Sequence, residues 1–121
     1  MDETMVHCFV GQEKADVSMP FTLPDGEKVI GKMNKRPYLK QFLVSCRKFF
    51  EIVVFTASHQ AYADSVLDYL DPHGTLIDYR FYRQHCTKTP KGFTIKDLRR
   101  LSHRRLEDIV IIDNSAYCFG Q

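Results

Sequence analysis

Two uninterrupted runs of apolar residues dominate the hydrophobic pattern of this chain, and each ends in polar side chains. Residues 109–112 are all Ile or Val and lead into Asp113 and Asn114, while residues 52–55 lead into Thr56. A strand that is covered by helices on both faces reads as a continuous apolar run instead of an alternating one. We therefore expect residues 52–55 and 109–112 to form buried parallel strands.

Two segments with helical periodicity follow the Arg36-Pro37 dipeptide and residue Ser58. Their apolar residues recur at the i, i+3, i+4 spacing of one helix face. In the first segment these residues are Leu39, Phe42, Leu43, Cys46 and Phe49, and in the second Tyr62, Val66, Leu67 and Leu70. Pro37 is tolerated in a first turn, and Ser58 is a suitable N-cap. The second helix is expected to stop at Asp71-Pro72.

Shorter elements complete the pattern. The Pro24-Asp25-Gly26 turn lies between two β-prone runs within residues 21–30, which predicts a hairpin. Residues 79–82 and 93–96 read as short strands, and Asp97 is a candidate N-cap for a brief basic helix. Alternating strands and helices predict an α/β fold with a mostly parallel sheet, flanking helices and a β-hairpin insertion.

Composition narrows the class of protein. The chain has 121 residues, 44% of them hydrophobic and 26% charged, with a net charge of +2, which suits one globular domain and gives no field that favours nucleic acid. No apolar run approaches the roughly 18 residues of a membrane span. The sequence has no signal-peptide pattern and no C-x-x-C pair, so its 4 cysteines are expected to be free thiols in a reducing, intracellular compartment, nuclear or cytoplasmic.

Two further features are interpreted as structural. The arginines at 99, 100, 104 and 105 read as a solvated helix face, so we expect no direct contact with nucleic acid. His85-Cys86 has no partner pair at metal-ligand spacing, and a zinc site is not expected there.

The polar residues that follow the predicted strands have a shared chemical logic. In a parallel sheet Asp2, Thr56, Lys96, Asp113 and Asn114 can gather at one edge, where ligands bind in open α/β sheets. Carboxylate and amide oxygens suit Mg²⁺, and a lysine with a hydroxyl suits phosphate oxygens. The residues favour a magnesium-dependent phosphoryl-transfer site. A nucleotide-binding fold and a receiver-type domain phosphorylated on Asp113 stay open, and Asp113 alone reads equally well as a helix cap.

A set of ordered motifs carries a family resemblance. They are Asp2-Glu3-Thr4-Met5-Val6-His7, Lys35-Arg36-Pro37, Phe55-Thr56-Ala57-Ser58, Tyr62-Ala63-Asp64, Leu70-Asp71-Pro72, Phe81-Tyr82-Arg83-Gln84-His85-Cys86, Ile95-Lys96-Asp97-Leu98 and Ile111-Ile112-Asp113-Asn114-Ser115. Together they resemble the FCP/SCP-type phosphatases, also called NLI-interacting-factor-like, of the haloacid dehalogenase superfamily. The resemblance implies a haloacid-dehalogenase-like, Rossmann-like fold. It also implies a Mg²⁺-dependent protein serine/threonine phosphatase that works through an aspartyl-phosphate.

The resemblance also implies residue roles. Asp2 matches the general acid and base, whose backbone carbonyl touches the metal, and Thr4 the threonine of the same motif. Thr56 matches the hydroxyl that binds the phosphoryl group, and Lys96 the lysine that neutralises it. Asp113 and Asn114 match the residues of the metal site. Arg83 and Phe21 match residues that bind substrate. Phosphoserine or phosphothreonine peptides are the implied substrates, with the RNA polymerase II C-terminal domain and lipid-phosphatase regulators of the nuclear envelope as candidates.

The departures from the family pattern concern both ends. The nucleophilic aspartate should stand two positions before Asp2, and the chain begins at Met1. The central first strand of the family and its C-terminal strand and helix are also missing. We therefore expect residues 1–121 to form an incomplete phosphatase domain that is inactive as written. A non-catalytic pseudophosphatase that binds phosphopeptide is the alternative.

The missing strand predicts a structural defect. Strands in a sheet lie about 4.8 Å apart, so the strands of residues 52–55 and 109–112 would face an empty position between them. We expect a gap with exposed apolar side chains, unless residues 5–10 move in to fill it, and an unfolding transition without cooperativity.

Overall fold

Three small sheets and two α-helices form the fold in this computed structural model, which describes residues 1–118. The strands are β1 Val6–Phe9, β2 Val17–Thr22, β3 Lys28–Lys35, β4 Val53–Phe55, β5 Tyr79–Phe81, β6 Thr87–Lys88 and β7 Thr94–Ile95. The helices are α1 Leu39–Cys46 and α2 Gln60–Leu70, and single 3₁₀ turns occupy Arg83–His85, Leu98–Arg100, Leu106–Asp108 and Ala116–Cys118. The fold is mixed α/β, as expected. Residues 119–121 of the predicted domain lie outside the described part.

The predicted hairpin is confirmed, and it is the centre of the largest sheet. Strands β2 and β3 pair antiparallel from Thr22 opposite Lys28 to Val17 opposite Met33, and β1 lies on the other edge of β3. The turn is closed by a 2.7 Å bond from the Leu23 amide to the Glu27 carbonyl. Gly26 takes a φ of 88°, a left-handed conformation that glycine adopts without steric cost.

Strands β4 and β5 form the one parallel pair among the described residues. Val53 lies opposite Tyr79 and Phe55 opposite Phe81, with α2 between the two strands in sequence. The carboxyl ends of both strands therefore meet at the same edge, where Thr56 follows β4. Its amide donates to the Phe81 carbonyl at 2.8 Å, which extends the pairing by one residue.

The core lies between α2, the hairpin and β4. The residues most withdrawn from solvent are Met33, Ala63, Val66 and Leu67, each 0% exposed, with Val6, Phe21, Leu43 and Val54 at 3–5%. Of the predicted α2 face, Val66 and Leu67 are buried, while Tyr62 and Leu70 are half-buried and pack against the core. This periodicity prediction is confirmed.

The prediction for α1 holds only at its amino-terminal half. Leu39 and Leu43 are buried, but Phe42 is 47% exposed and Phe49 81%. The helix ends at Cys46, with Arg47 as its C-cap. Because Phe49 lies beyond the end of the helix, the helical spacing that predicted its burial does not apply to it.

The start of α2 is one residue later than predicted. His59 is the N-cap, and no side chain caps the helix. Ser58 was expected in that role, but its hydroxyl donates to Asp2 at 2.7 Å instead. The predicted end is confirmed, since α2 stops at Leu70 and Asp71 is its C-cap.

The prediction of a mostly parallel sheet is wrong for this structure, and so is the predicted strand over residues 109–112. The largest sheet is antiparallel, β6 and β7 also pair antiparallel, and residues 109–112 belong to no sheet. Val110 is 77% exposed and Ile112 63%, so this run is not buried. A β-prone sequence forms a ladder only where a neighbouring backbone offers partners, and within residues 1–118 the only strand paired with β4 is β5.

Side-chain contacts on both sides of this run hold the segment to the rest of the molecule. At one end Arg104 binds both carboxylate oxygens of Glu51, just before β4, at 2.7 and 2.8 Å. At the other end Asp113 pairs with Lys96. The expected exposure of apolar side chains along the segment is confirmed at Val110 and Ile112. Residues 5–10 do not fill the position beside β4, because β1 is committed to β3.

None of the helices within residues 1–118 combines the length and the apolar character that crossing a bilayer requires.

Candidate active site

A buried ion pair between Lys96 and Asp113 is the centre of the candidate site. Lys96 directly follows β7, and its amide donates to the Cys118 carbonyl at 2.7 Å. Its ammonium group contacts the Asp113 carboxylate, and the two side chains are 7% and 5% exposed. The Ser115 amide donates to the second Asp113 oxygen at 2.9 Å. Burial alone raises the pKa of Asp113, but Lys96 and the Ser115 amide together hold that pKa below its ordinary value.

Asp2 is held by two hydroxyl groups from the region of α2. Tyr62 donates to one carboxylate oxygen and Ser58 to the other, each at 2.7 Å. Burial is the main reason that the pKa of Tyr62 is strongly raised, and its bonds to Cys8 and Asp2 act in the same direction. Tyr62 therefore remains a neutral hydrogen-bond donor to Asp2 at neutral pH.

Thr56 is buried at the carboxyl end of β4, with 2% of its surface exposed. Its hydroxyl oxygen accepts the Ser58 amide at 3.1 Å. Because the oxygen is the acceptor in that bond, the hydroxyl proton remains free to be donated elsewhere. The Cys86 thiol lies 3.7 Å from the Thr56 carbonyl, and the pKa of Cys86 is raised by burial while nearby Lys96 opposes that shift.

Thr4 and Asn114 connect the amino-terminal segment to the segment after residue 112. The Thr4 hydroxyl donates to the Asn114 side-chain oxygen at 3.4 Å, and this contact is exposed. Thr4 is also fixed through its backbone, since Arg36 donates to its carbonyl. Arg36 is the arginine of the Lys35-Arg36-Pro37 motif, so that motif supports the loop after Asp2.

Arg83 is exposed at the rim of the candidate site. Its Nε donates to the Ala57 carbonyl at 2.6 Å, and its Nη1 lies 2.8 Å from Nε2 of His59. These contacts place the guanidinium beside the turn from β4 to α2.

Phe21, which the resemblance matches to substrate binding, is buried in this structure, and its role in binding substrate stays a prediction. It is 4% exposed and packs edge-on against Tyr62, with ring centroids 5.2 Å apart. The ring also lies against Gly31, where an added side-chain carbon would come within 2.2 Å of it. Phe21 is therefore a packing residue behind the site, because its apolar ring is stabilised by leaving water.

The structure joins the predicted residues in three groups. Lys96 pairs with Asp113, Thr4 bonds Asn114, and Asp2 is linked to Thr56 through Ser58. Asp2 and Thr4 are neighbours in one short segment, which brings the three groups to the same edge of the molecule. Within residues 1–118 no direct hydrogen bond joins Asp2 to Asp113 or Lys96 to Thr56.

Sequence reasoning assigned Ser58 and Tyr62 to structural roles and missed their contact with Asp2. The sequence pattern predicts Ser58 as a helix cap and Tyr62 as part of an apolar helix face. A signal was present at Tyr62, since a buried tyrosine usually directs its hydroxyl to a polar partner. The partner itself lies 60 residues away and could not be identified from local pattern.

The candidate site offers carboxylate and amide oxygens that are possible ligands for a magnesium ion. No group of three or more His, Cys, Asp or Glu side chains converges within the described residues. Magnesium, however, is usually bound by one or two carboxylates and completes its shell with water and substrate phosphate. The Asp113 carboxylate and the Asn114 amide oxygen are hard ligands of that kind, so the residues present fit this ion.

Chemically, the arrangement suits a group with spread negative charge. A buried ammonium, a hydroxyl with a free proton, an exposed guanidinium and a positioned carboxylate lie at one edge of the molecule. Such groups can bind phosphate oxygens and move a proton beside them.

Comparison with protein families gives a match over residues 1–121 to the family described as NLI interacting factor-like phosphatase. Among curated proteins, the chain is 43% identical over 116 residues to a probable C-terminal domain small phosphatase of Dictyostelium discoideum, covering 95% of this chain and 37% of the relative. It is 39% identical over 123 residues to CTD nuclear envelope phosphatase 1 of Xenopus tropicalis, covering 95% of this chain and 50% of the relative. A third relative, CTD small phosphatase-like protein 2 of Dictyostelium discoideum, is 38% identical over 122 residues, with 99% of this chain and 21% of the relative covered.

The fold is similar to that of a solved RNA polymerase II CTD phosphatase, Fcp1. The TM-score is 0.67 at 25% sequence identity, covering 84% of this chain and 32% of that chain. A structure of the fission yeast enzyme bound to beryllium fluoride gives a TM-score of 0.66 at 24% identity. The present chain thus spans a half or less of the relatives that it matches.

Proposed function

This chain belongs to the family of NLI interacting factor-like phosphatases, and on that premise we propose that residues 1–121 are part of a Mg²⁺-dependent protein serine/threonine phosphatase domain. The reaction proposed for the domain proceeds through an aspartyl-phosphate. The observation that carries the proposal is the buried Lys96 ammonium, paired with Asp113 at the edge where Thr56, Asp2 and Arg83 also lie. Lysine has three donors, so pairing with Asp113 leaves capacity for phosphate oxygens.

Each residue has a distinct task in this proposal. Lys96 neutralises the charge that spreads over the phosphoryl oxygens, and the Thr56 hydroxyl donates to one of them. Asp2 moves the proton, first to the leaving serine or threonine oxygen and later from the attacking water. Arg83, exposed at the rim, binds the peptide that carries the phosphate.

Asp113 and Asn114 are the residues that would hold Mg²⁺, with the backbone carbonyl of Asp2 as a further ligand. When bound, the ion supplies positive charge to phosphoryl oxygens. The support for this assignment is the hard-oxygen character of the donors and the family match.

The nucleophile of the proposed reaction is expected two positions before Asp2, a position outside residues 1–121. We therefore propose that a polypeptide of these 121 residues does not turn over phosphomonoesters. Loss of the nucleophile lowered kcat by about 10⁶ in a well-studied hydrolase. A matched polypeptide, called here the extended polypeptide, places an apolar strand that ends in aspartate directly before Met1.

The experiment compares the two polypeptides on p-nitrophenyl phosphate with Mg²⁺. We expect no measurable rate from residues 1–121 and a metal-dependent rate, inhibited by fluoroaluminate, from the extended polypeptide. Its Lys96→Ala variant should be inactive, whereas Lys91→Ala, at an exposed lysine, should match the parent. Turnover by the 121-residue polypeptide would falsify the nucleophile assignment. A folded but inert extended polypeptide would overturn the phosphatase proposal.

The substrate class proposed is a phosphoserine or phosphothreonine peptide. Support comes from the names of relatives, which include a probable C-terminal domain small phosphatase and CTD nuclear envelope phosphatases. The RNA polymerase II C-terminal domain is thus one candidate substrate, and an intracellular location, nuclear or cytoplasmic, agrees with 4 free cysteines. Profiling the extended polypeptide on a phosphopeptide library would test this substrate class.

A non-catalytic phosphopeptide-binding module is the second candidate. The specific observation that favours it is that Thr56, Lys96 and Arg83, the residues proposed to bind phosphate, all lie within residues 1–121. Titration of residues 1–121 with a phosphoserine peptide distinguishes the two. A module must bind, lose that affinity in Lys96→Ala and retain it in Lys91→Ala. Absence of binding by the folded chain would remove this candidate.

A further inference from the structure

Each carboxylate oxygen of Asp2 accepts a hydrogen bond from a hydroxyl group, and the two donors are close together in the sequence. Tyr62 and Ser58 each donate at 2.7 Å, Tyr62 from the first turns of α2 and Ser58 from the residue before its N-cap. Two donors on two oxygens fix the plane of a carboxylate, whereas one donor leaves it free to rotate. The orientation of Asp2 is therefore set by α2.

The Tyr62 ring is itself supported by the β2–β3 hairpin. Phe21 of β2 meets it edge-on at 5.2 Å and is 4% exposed. Gly31 of β3 leaves the space that the Phe21 ring fills. A continuous line of contacts thus runs from the hairpin through Phe21 and Tyr62 to Asp2.

We propose that Tyr62 and Ser58 are positioning residues for the proton transfer by Asp2, and that the hairpin supports this task through Phe21. This inference rests on the proposed phosphatase function. Small misplacement of a catalytic group is costly, since an error of about 1 Å can lower a rate roughly 100-fold.

The proton balance shows when the two hydroxyls matter. The aspartate that ends the added strand attacks phosphorus and takes the phosphoryl group, while the bond from phosphorus to the serine oxygen breaks. In the same step the Asp2 carboxyl gives its proton to that serine oxygen and becomes a carboxylate. The carboxylate then accepts bonds from Tyr62 and Ser58, and hydrogen bonds to an ionised acceptor are about twice as strong as neutral ones. The two hydroxyls therefore stabilise the transition state more than the ground state, which is what raises kcat.

This reasoning predicts a dependence on the leaving group. A serine alkoxide needs a proton as it departs, while p-nitrophenolate is stable without one. Removing a positioning hydroxyl should consequently slow a phosphoserine peptide far more than p-nitrophenyl phosphate. General loss of structure would slow both substrates together.

The experiment measures kcat and KM for both substrates with the extended polypeptide. Tyr62→Phe keeps the ring against Phe21 and removes only the hydroxyl, and Ser58→Ala does the same at the second oxygen. The matched control is Tyr82→Phe, which removes a comparable 2.6 Å bond from the Tyr82 hydroxyl to Asp64 of α2, a bond that does not involve Asp2.

We expect Tyr62→Phe to lower kcat on the phosphoserine peptide roughly 10- to 100-fold, with KM unchanged and less than roughly threefold loss on p-nitrophenyl phosphate. Ser58→Ala should act in the same direction, and Phe21→Leu should give a smaller effect of the same kind. Tyr82→Phe should leave the ratio of the two substrates unchanged. Equal losses on both substrates, or no loss, in Tyr62→Phe would overturn the inference while leaving the phosphatase proposal intact.

An inactive extended polypeptide would remove the phosphatase proposal itself. A second measurement, which does not need activity, tests the inference in that case. The thermal midpoint is compared for Tyr62→Phe in the parent and in an Asp2→Ala background. If Tyr62 holds Asp2, the loss of midpoint seen in the parent largely disappears in that background. An equal loss in both backgrounds would mean that the hydroxyl does not hold the carboxylate, and the inference would fail on this ground alone.

Discussion

Lys96 and Asp113, which are separated by 17 positions in the sequence, form an ion pair with both side chains less than a tenth exposed. A buried pair of this kind stabilises little as a unit, but it is expensive to break from one side, because the remaining charge is then left without a partner. The same pair joins the strand β7 to the segment that follows residue 112.

Lys96→Ala should therefore destabilise the extended polypeptide as well as inactivate it. We expect a loss of about 3–5 kcal/mol in the free energy of unfolding, measured with chemical denaturant. Asp113→Ala should cost a similar amount, and the double variant should cost much less than the sum of the two. Additive losses would show that the two groups do not depend on each other.

Gly31→Ala tests the contact between the hairpin and Phe21. The added carbon would lie 2.2 Å from the buried ring, which must move, and we expect overpacking to cost about 1–3 kcal/mol in the free energy of unfolding. Phe21→Leu shortens the opposing side chain, so the double variant should regain part of that loss. A Gly31→Ala variant as stable as the parent would mean that the ring has room to shift.

Asp71 should make stability depend on pH in the acid range. Burial raises the pKa of its carboxyl, but amide bonds from Ile77, Leu76 and Thr75, each 2.9 Å long, outweigh burial and hold that pKa below its ordinary value. A carboxyl whose pKa is lowered by folding stabilises the protein above the pKa of the unfolded chain, about 3.9. That contribution is lost as the pH falls from about 5 through the lower folded-state pKa.

The corresponding variant, Asp71→Ala, should unfold about 3 kcal/mol more easily at neutral pH and show a flatter stability curve below pH 5, as measured by denaturant titration at several pH values. Asp25→Ala is the control, since Asp25 accepts one amide bond, from Glu27, in the exposed hairpin turn. It should change stability by about 0.5 kcal/mol. An unchanged acid limb in Asp71→Ala would contradict the assignment.

Residues 109–112 should behave as an unpaired segment in the 121-residue polypeptide. We expect fast hydrogen exchange at Val110 and Ile112, binding of a hydrophobic dye and a broad unfolding transition. Val110, 77% exposed, and Val54, 5% exposed, offer a matched pair. In the extended polypeptide, Val54→Ala should cost about 2 kcal/mol through lost burial and a small cavity. Slow exchange at residues 109–112 with a sharp two-state transition in the 121-residue polypeptide would show that the sheet closes without help.

The same comparison tests whether an added strand pairs with this segment. If it does, Val110→Ala should become costly in the extended polypeptide, and residues 109–112 should exchange slowly. If Val110→Ala stays neutral there, the segment is not completed by a strand placed before Met1.

Local chemistry was sufficient to predict several elements from the sequence. The Pro24-Asp25-Gly26 turn determines the hairpin because glycine accepts the left-handed backbone that the turn requires. The helical spacing of apolar residues determines the buried face of α2, which includes Val66 and Leu67. Asp97 caps the short turn that directly follows Asp97, because its carboxylate accepts the Arg99 amide. The ordered motifs determine the family. The turn, the helix face and the cap, and each motif taken singly, depend on residues close together in the chain.

The other features of the fold and of the candidate site were decided by the tertiary structure alone, because contacts between residues far apart in the sequence produce no local pattern. The β-prone run of residues 109–112 remains without a ladder, since a strand also needs a partner backbone. Phe21 lies in the core and not at the surface because Gly31, across the hairpin, leaves room for its ring. Tyr62 and Ser58 become partners of Asp2 only when α2 packs beside the amino-terminal segment, which brings hydroxyls and carboxylate together across 60 and 56 positions of sequence.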